Sequence, residues 1–241
     1  MWDSPRALNA VANLLFTLGL AALLAAAALA AAGSSAFALQ AVELTAPPRR
    51  VTVEQVQAVV AQELRGTFFT VDLEAIRGAF EKLPWVRRAS LARRWPATLV
   101  VTLEEREVLA RWGENALIDR YGERFEAVFE GPLPELSGPD GTEREVVERY
   151  LRFRDLLAQA GLGLQAVRLS ARGAWELELE RGTVVKLGRS HTDQRLARFV
   201  VAYGESLGRL GVPVEYVDLR YPHGFAVRLP RETSARTSRG T

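Results

Sequence analysis

Residues of the types that catalyse hydrolysis occur together at Ser190, His191 and Asp193. They form one short run, whereas the members of a Ser-His-Asp triad come from distant segments that meet in the folded protein. Glu104 and Glu105 are neighbours in a predicted strand, so they point to opposite faces of its sheet and cannot act as a carboxylate pair. We therefore predict no catalytic site from these groups.

The sequence gives little support for metal, phosphate or nucleic-acid binding. Gly161 and Gly163 lack the third glycine and the preceding strand of a phosphate-binding loop. Cysteine is absent, and the two histidines, His191 and His223, do not share the spacing of metal ligands. The net charge of +2 is a near balance, which does not favour nucleic acid. We predict no cofactor, no metal site and no nucleic-acid partner.

The first element of the chain is an uncharged stretch at 7–42. As a helix, residues 8–32 would span about 37 Å, more than the ~30 Å hydrocarbon core of a bilayer. We predict a cytoplasmic segment at 1–7, one transmembrane helix at 8–32 and a linker at 33–41. Arg6 favours the cytoplasmic N-terminus. A signal peptide cleaved after Ala38 is the alternative, although its apolar region would be unusually long.

Residues 42–107 show the pattern strand, helix, helix, strand, strand. Thr52 and Thr70 are predicted to cap the two helices, and Pro84 is predicted to end the second. Apolar residues recur at helical spacing in both helices. A three-stranded sheet covered on one face by two helices would bury both apolar stripes.

Residues 108–229 are predicted to form a β domain of mostly antiparallel strands with two helices, so the fold class is α+β. The run 142–145 has the pattern of a capping box at the start of the first helix. The hairpin order leaves the last strand, at 225–229, at a sheet edge with unpaired backbone groups. Polar composition predicts a disordered tail at 230–241.

Several short motifs follow one another in a fixed order after the predicted transmembrane helix. They are Leu83-Pro84-Trp85-Val86, Arg93-Arg94-Trp95-Pro96, Ala110-Arg111-Trp112, Leu117-Ile118-Asp119, Arg195-Leu196-Ala197-Arg198-Phe199, Val217-Asp218-Leu219-Arg220-Tyr221 and Gly224-Phe225-Ala226-Val227. With these motifs the chain resembles the FtsQ/DivIB family of bacterial cell-division proteins, whose exported part begins with a POTRA domain. The resemblance covers 42–229, and the single N-terminal anchor fits it.

The resemblance implies a single-pass protein of the bacterial inner membrane at the division septum, with its C-terminal domains in the periplasm. It implies a scaffold without enzymatic activity that binds the coiled-coil proteins FtsB and FtsL. Such a scaffold links early to late division proteins and helps to control septal peptidoglycan synthesis. The POTRA domain and the anchor would contact other divisome proteins.

The last strand is the predicted partner-binding site, because an edge strand can accept a strand of another chain by β-augmentation. In the family, the FtsB contact resembles this mode. Carried over to this chain, the resemblance pairs Arg220 with a partner carboxylate and makes Tyr221 and Phe225 aromatic anchors. The predicted contact residues are Arg220, Tyr221, His223, Gly224, Phe225, Val227 and, flanking the surface, Arg172.

The sequence leaves two alternative functions. A POTRA-bearing transport protein would need many amphipathic strands to build a barrel, but only about 130 residues follow the POTRA-like region. An anchored envelope enzyme would need a pocket with perturbed titratable groups, for which the sequence gives no sign.

Overall fold

The computed structural model describes residues 5–204, 214–221 and 224–229. The chain divides into two compact units, Met1–Arg106 and Glu107–Thr241. His223 and the tail at 230–241 lie outside the described residues, as do residues 1–4 of the segment expected to be cytoplasmic.

Five α-helices and twelve strands are present in the described part of the chain. The helices are α1 (Pro5–Ala32), α2 (Val53–Glu63), α3 (Leu73–Glu81), α4 (Glu143–Ala158) and α5 (Thr192–Ala202). The strands of the first unit are β1 (Ala41–Leu44), β2 (Val86–Arg94) and β3 (Thr98–Glu105). Those of the second are β4 (Val108–Trp112), β5 (Ala116–Asp119), β6 (Arg124–Phe125), β7 (Glu135–Ser137), β8 (Leu164–Leu169), β9 (Trp175–Leu179), β10 (Val184–Gly188), β11 (Tyr216–Asp218) and β12 (Ala226–Arg228).

Helix α1 begins at Pro5, inside the segment expected to precede it. Its portion Leu8–Ala32 is long and apolar enough to cross a membrane, and none of it is buried within the protein. Exposed leucines along this portion would be costly in water, so the helix fits a single-pass membrane protein. The following segment, expected as a linker, is hydrogen-bonded to residues of the first unit that lie further along the chain. Phe68 N donates to Phe37 O at 2.7 Å, and Gln40 N donates to Ala97 O at 2.9 Å.

The first unit has the predicted strand-helix-helix-strand-strand order. Its sheet has the order β1-β3-β2, with β1 parallel and β2 antiparallel to β3. The two helices bury one apolar stripe each, including Val56 and Val59 of α2 and Ile76 and Phe80 of α3, in a core shared with the sheet. Burial of both stripes accounts for this two-layer arrangement.

The predicted side-chain caps are correct in one case of three, although α4 does begin directly after Thr142 as predicted. Thr52 forms the capping box of α2, in which Thr52 Oγ1 accepts from Gln55 N and Gln55 Oε1 accepts from Thr52 N. The prediction of Thr70 as a cap is wrong, because the Asp72 carboxylate accepts from the first amides of α3. The capping box at 142–145 is also wrong, since the Thr142 hydroxyl donates to Pro139 O at 2.6 Å instead.

The second unit is built on a nine-stranded sheet with the order β12-β11-β10-β9-β8-β7-β4-β5-β6. Five of its eight strand pairs are antiparallel, as predicted, and three are parallel: β4 with β7, β7 with β8, and β10 with β11. Hairpin order did not predict the parallel pairs. Two of them arise because α4 and α5 connect consecutive strands and return the chain to the same end of the sheet.

Both helices of this unit pack against the sheet. Phe153 and Leu157 of α4 and Leu196 and Phe199 of α5 are almost fully buried in the core. The helices are also joined by Asp193, which pairs with Arg149 at 2.8 Å. Strand β12 is the terminal strand at one end of this sheet.

Candidate partner-binding site

Strand β12 is the terminal strand of the nine-stranded sheet. It pairs antiparallel with β11, with Val217 opposite Val227 and Asp218 opposite Ala226. Val227 is half-buried toward the core, whereas Ala226 and Arg228 are exposed. Within the described residues no strand pairs with the other side of β12, so this edge carries backbone groups available for an added strand.

The segment after β11 holds an arginine in a defined position. Arg220 Nη2 lies 2.6 Å and Arg220 Nε 3.1 Å from Asp218 Oδ2, and Tyr216 OH donates to the same oxygen at 3.2 Å. Asp218 is buried, while the Arg220 side chain is 58% exposed. The hydrogen bonds from the Arg220 side chain lower the pKa of Asp218 to about 2, against a smaller opposing effect of burial.

Helix α5 and the end of β10 support this arginine. Arg195 Nη1 donates to Leu187 O at 2.6 Å, and Arg195 Nη2 donates to Arg220 O at 3.4 Å. Gly188 has a φ of 78°, and a Cβ at this position would lie 2.9 Å from Arg195 Nη1 and 3.2 Å from Arg220 Cγ. A glycine is therefore required where these two arginines approach the backbone.

Sequence reasoning did not assign these supporting roles. Arg195 and Gly188 come from α5 and β10, and the parallel pairing of β10 with β11 brings them to Arg220, whereas Asp218 precedes Arg220 by two residues. The sequence signal that could have pointed to them is the Asp-x-Arg spacing of Asp218 and Arg220 at the end of a strand.

The predicted aromatic residues differ in their surroundings. Tyr221 is 54% exposed, as a binding residue would be. Phe225 is half-buried and packs edge-to-face on Phe199 of α5, with the ring centroids 6.1 Å apart, so its ring belongs to the core of the unit. Gly224 is exposed, and a Cβ built on it would meet no atom within 4 Å.

Arg172 lies apart from the other candidates. It occupies the turn after β8, four strands from β12, which corresponds to roughly 19 Å at the usual strand spacing. Because β8 and β11 run in the same direction, the turn lies at the end of the sheet where Arg220 is found. The structure thus brings together Arg220, Tyr221, Gly224, Phe225 and Val227 at one edge, with Arg172 on the same end of the sheet.

His191 and Asp193, which were considered as members of a hydrolytic triad, lie at the start of α5. His191 precedes α5 with a φ of 56°. The Asp193 carboxylate accepts hydrogen bonds from Arg149 and Arg152 of α4, so it serves as an ion-pair link between helices. Glu104 pairs with Arg87, while Glu105 accepts from three backbone amides, which agrees with their predicted orientation to opposite faces.

Comparison with known proteins identifies both units. The model described as "POTRA domain, FtsQ-type" matches residues 37–106, and the one described as "Cell division protein FtsQ/DivIB, C-terminal" matches 110–220. The chain is 42% identical over 233 residues to the cell division protein FtsQ of Nitrosospira multiformis, covering 95% of this chain and 99% of the relative. The chain belongs to the FtsQ/DivIB family.

Further relatives support the assignment over nearly the whole length. The FtsQ proteins of Burkholderia pseudomallei and Bordetella pertussis are 40% and 37% identical, each over 95% of this chain and over 94% and 93% of their own lengths. The FtsQ/DivIB C-terminal match ends at Arg220, immediately before the segment that contains β12. In this FtsQ family member the candidate edge strand therefore lies just outside the matched region.

Proposed function

We propose that this FtsQ family member is a non-enzymatic divisome scaffold that binds FtsB, together with FtsL, through β-augmentation on β12. The observation that carries the proposal is the position of β12 at the end of the sheet, with its outer edge open within the described residues. A strand of the partner would continue the ladder beyond β12, and main-chain hydrogen bonds would supply attachment.

Side chains around β12 would supply selectivity. Arg220 is bound to Asp218 through Nε and Nη2, and within the described residues its Nη1 has no acceptor. This nitrogen is therefore available to a partner carboxylate next to the added strand. Tyr221 offers an exposed ring beside it, and the open space at Gly224 lets a second backbone approach closely.

The membrane arrangement proposed for this scaffold follows from α1. A cytoplasmic N-terminus and a single crossing of the inner membrane would put the part of the first unit that follows α1, and the whole second unit, in the periplasm, where the division septum forms. There the first unit and the helix would contact further divisome proteins. The transport and enzyme alternatives gain no support from membership of a cell-division family.

A pull-down with the purified full chain in detergent and the periplasmic part of FtsB tests the binding proposal. Arg220→Glu replaces the cation facing the partner carboxylate with an anion, so we expect affinity to fall by about tenfold or more. Arg181→Glu is the matched control. Arg181 is exposed in the β9–β10 turn, which lies at the opposite ends of the strands from Arg220. Equal capture of both variants would contradict the assigned role of Arg220.

The edge itself is tested by shortening and by steric blocking. A chain ending at Tyr221 loses β12 but keeps the buried residues Val217 and Leu219, so the second unit retains most of its core. Gly224→Val places bulk where only a partner would meet it, and Gly78→Val, at another position with open space, is its control. Wild-type capture by both the shortened chain and the Gly224 variant would eliminate β-augmentation on β12.

A further inference from the structure

A cluster of aromatic rings lies on the first unit, outside the region assigned to partner binding. Phe37 contacts Phe69 with ring centroids 5.1 Å apart, and Phe68 contacts Trp95 at 5.8 Å. Phe68 is buried, but Phe69 is 49% and Trp95 66% exposed. Among the described residues that follow α1 in this unit, these two are the exposed aromatic side chains.

The cluster is fixed to the end of the apolar helix. Thr67 Oγ1 donates to the carbonyl of Ala32, the last residue of α1, at 2.5 Å. Ala38 and Thr67 form a β-bridge, and Phe68 N donates to Phe37 O. Because consecutive Cα atoms are about 3.8 Å apart, the Cα atom of Phe69 lies within roughly 8 Å of that of Thr67.

The length of α1 places this end at the membrane surface. Asn9 and Asn13 are polar residues near its start, suited to the headgroup region on the entry side. The remaining apolar part, 14–32, spans about 28 Å as a helix, which matches the ~30 Å hydrocarbon core. With this span across the bilayer, Ala32 would lie at the far boundary of the hydrocarbon and the aromatic cluster at the depth of the headgroups.

The chemistry of the cluster suits that depth. Tryptophan prefers the interface between hydrocarbon and water, where its ring is in an apolar setting and its N–H reaches polar groups. Arg65 and Arg93 are exposed cations of the neighbouring loop and strand end, and Arg93 Nη2 is held to Val71 O at 2.9 Å. Exposed guanidinium groups next to aromatic rings complement anionic lipid headgroups.

We propose that Phe37, Phe69 and Trp95 form a lipid contact that seats the first unit on the outer surface of the membrane beside its anchor. The contact is separate from β12, which belongs to the other unit. It gives the exposed rings an apolar environment and restrains the first unit with respect to α1.

The positions of the tryptophans provide the test. Trp95 follows the last residue of β2 and Trp85 precedes its first, so the two side chains lie at opposite ends of a nine-residue strand about 30 Å long. Trp112 and Trp175 are buried in the other unit. Full-length protein is reconstituted into vesicles of phosphatidylcholine and phosphatidylglycerol, with or without bromine on the upper acyl chain. Trp2, which precedes the helix, is replaced by Phe in all variants.

Brominated lipid quenches tryptophans at the membrane surface. We expect it to quench the Trp2→Phe chain, to quench Trp2→Phe/Trp85→Phe at least as strongly, and to lose most of its effect on Trp2→Phe/Trp95→Phe. Quenching should also rise with the phosphatidylglycerol content. If brominated lipid quenches the Trp2→Phe chain no more than the Trp2→Phe/Trp95→Phe chain, Trp95 does not contact lipid and the proposal is overturned. This outcome includes the case in which the rings are covered by a second copy of the chain.

Discussion

At the scale of single residues, Asp218 links the folding of the site to pH. Its pKa of about 2 is below the ordinary value of 3.8, so the carboxylate stabilises the fold above about pH 4, and this contribution is lost as the pH falls toward 2. Since Arg220 is more than half exposed, solvent screening reduces the stabilisation to about 1 kcal/mol.

The corresponding prediction concerns Asp218→Asn. Urea unfolding of the full chain in detergent should give a free energy of unfolding about 1 kcal/mol below wild type at pH 7, and the difference should narrow below pH 4. Asp140→Asn is the control, because Asp140 is 92% exposed in its pair with Arg124 and should have little effect. A difference for Asp218→Asn that stays constant from pH 7 to pH 3 would contradict this account.

Some contacts of the candidate site could be predicted from the sequence, and others could not. Tyr221 is exposed, and its role as a contact residue stays a prediction. The contact of Phe225 with Phe199 could not be predicted, since it depends on how α5 lies on the sheet. The same holds for Arg195, whose side chain reaches two strand ends that are distant in sequence.

At the scale of elements, Glu105 at the end of β3 fixes the loop that leads into α2. Its carboxylate accepts hydrogen bonds from the backbone amides of Arg49, Arg50 and Val51 at 2.8 to 3.1 Å. Burial of the carboxylate raises its pKa, but these bonds together outweigh burial, so the net pKa is lowered. The carboxylate therefore binds the loop most firmly in its ionised form.

This arrangement predicts a local effect of Glu105→Gln. Loss of the charged acceptor should weaken the loop by about 2 kcal/mol, which corresponds to faster amide exchange at 49–51 by a factor of about 30. Hydrogen–deuterium exchange followed by mass spectrometry measures it. Glu104→Gln, on the opposite face of the strand, should leave exchange in this loop unchanged. Similar protection in both variants would show that Glu105 does not hold the loop.

Periodicity and turn signals predicted the elements better than their pairing. The two helices of the first unit and the order of its elements along the chain followed from apolar spacing. Local competition among polar groups decided the helix starts, so Asp72 took the place of Thr70 as a cap. Parallel pairs such as β10 with β11 depend on where a helix returns the chain, which hairpin order does not encode.

At the scale of the molecule, the nine-stranded sheet has two ends with different properties. At one end, Arg124 of β6 is paired with Asp140 and Glu143, both at 3.1 Å. At the other end, β12 presents exposed side chains at Ala226 and Arg228 on either side of the half-buried Val227. Short edge strands resist strand addition, and β6 has two residues (Arg124–Phe125) against three in β12, so β12 is the better acceptor.

The most direct measurement is site-specific crosslinking along both ends of this sheet. The chain contains no cysteine, so single cysteines at Ala226, Val227, Arg228 and, as a control, Arg124 are unique positions for disulfide formation with cysteines placed along FtsB. An added strand would place its side chains beside those of β12 with a period of two residues. We expect crosslinks at Ala226 and Arg228, weaker crosslinking at Val227 and none at Arg124. Equal crosslinking at all four positions, or crosslinking at Arg124 alone, would contradict it.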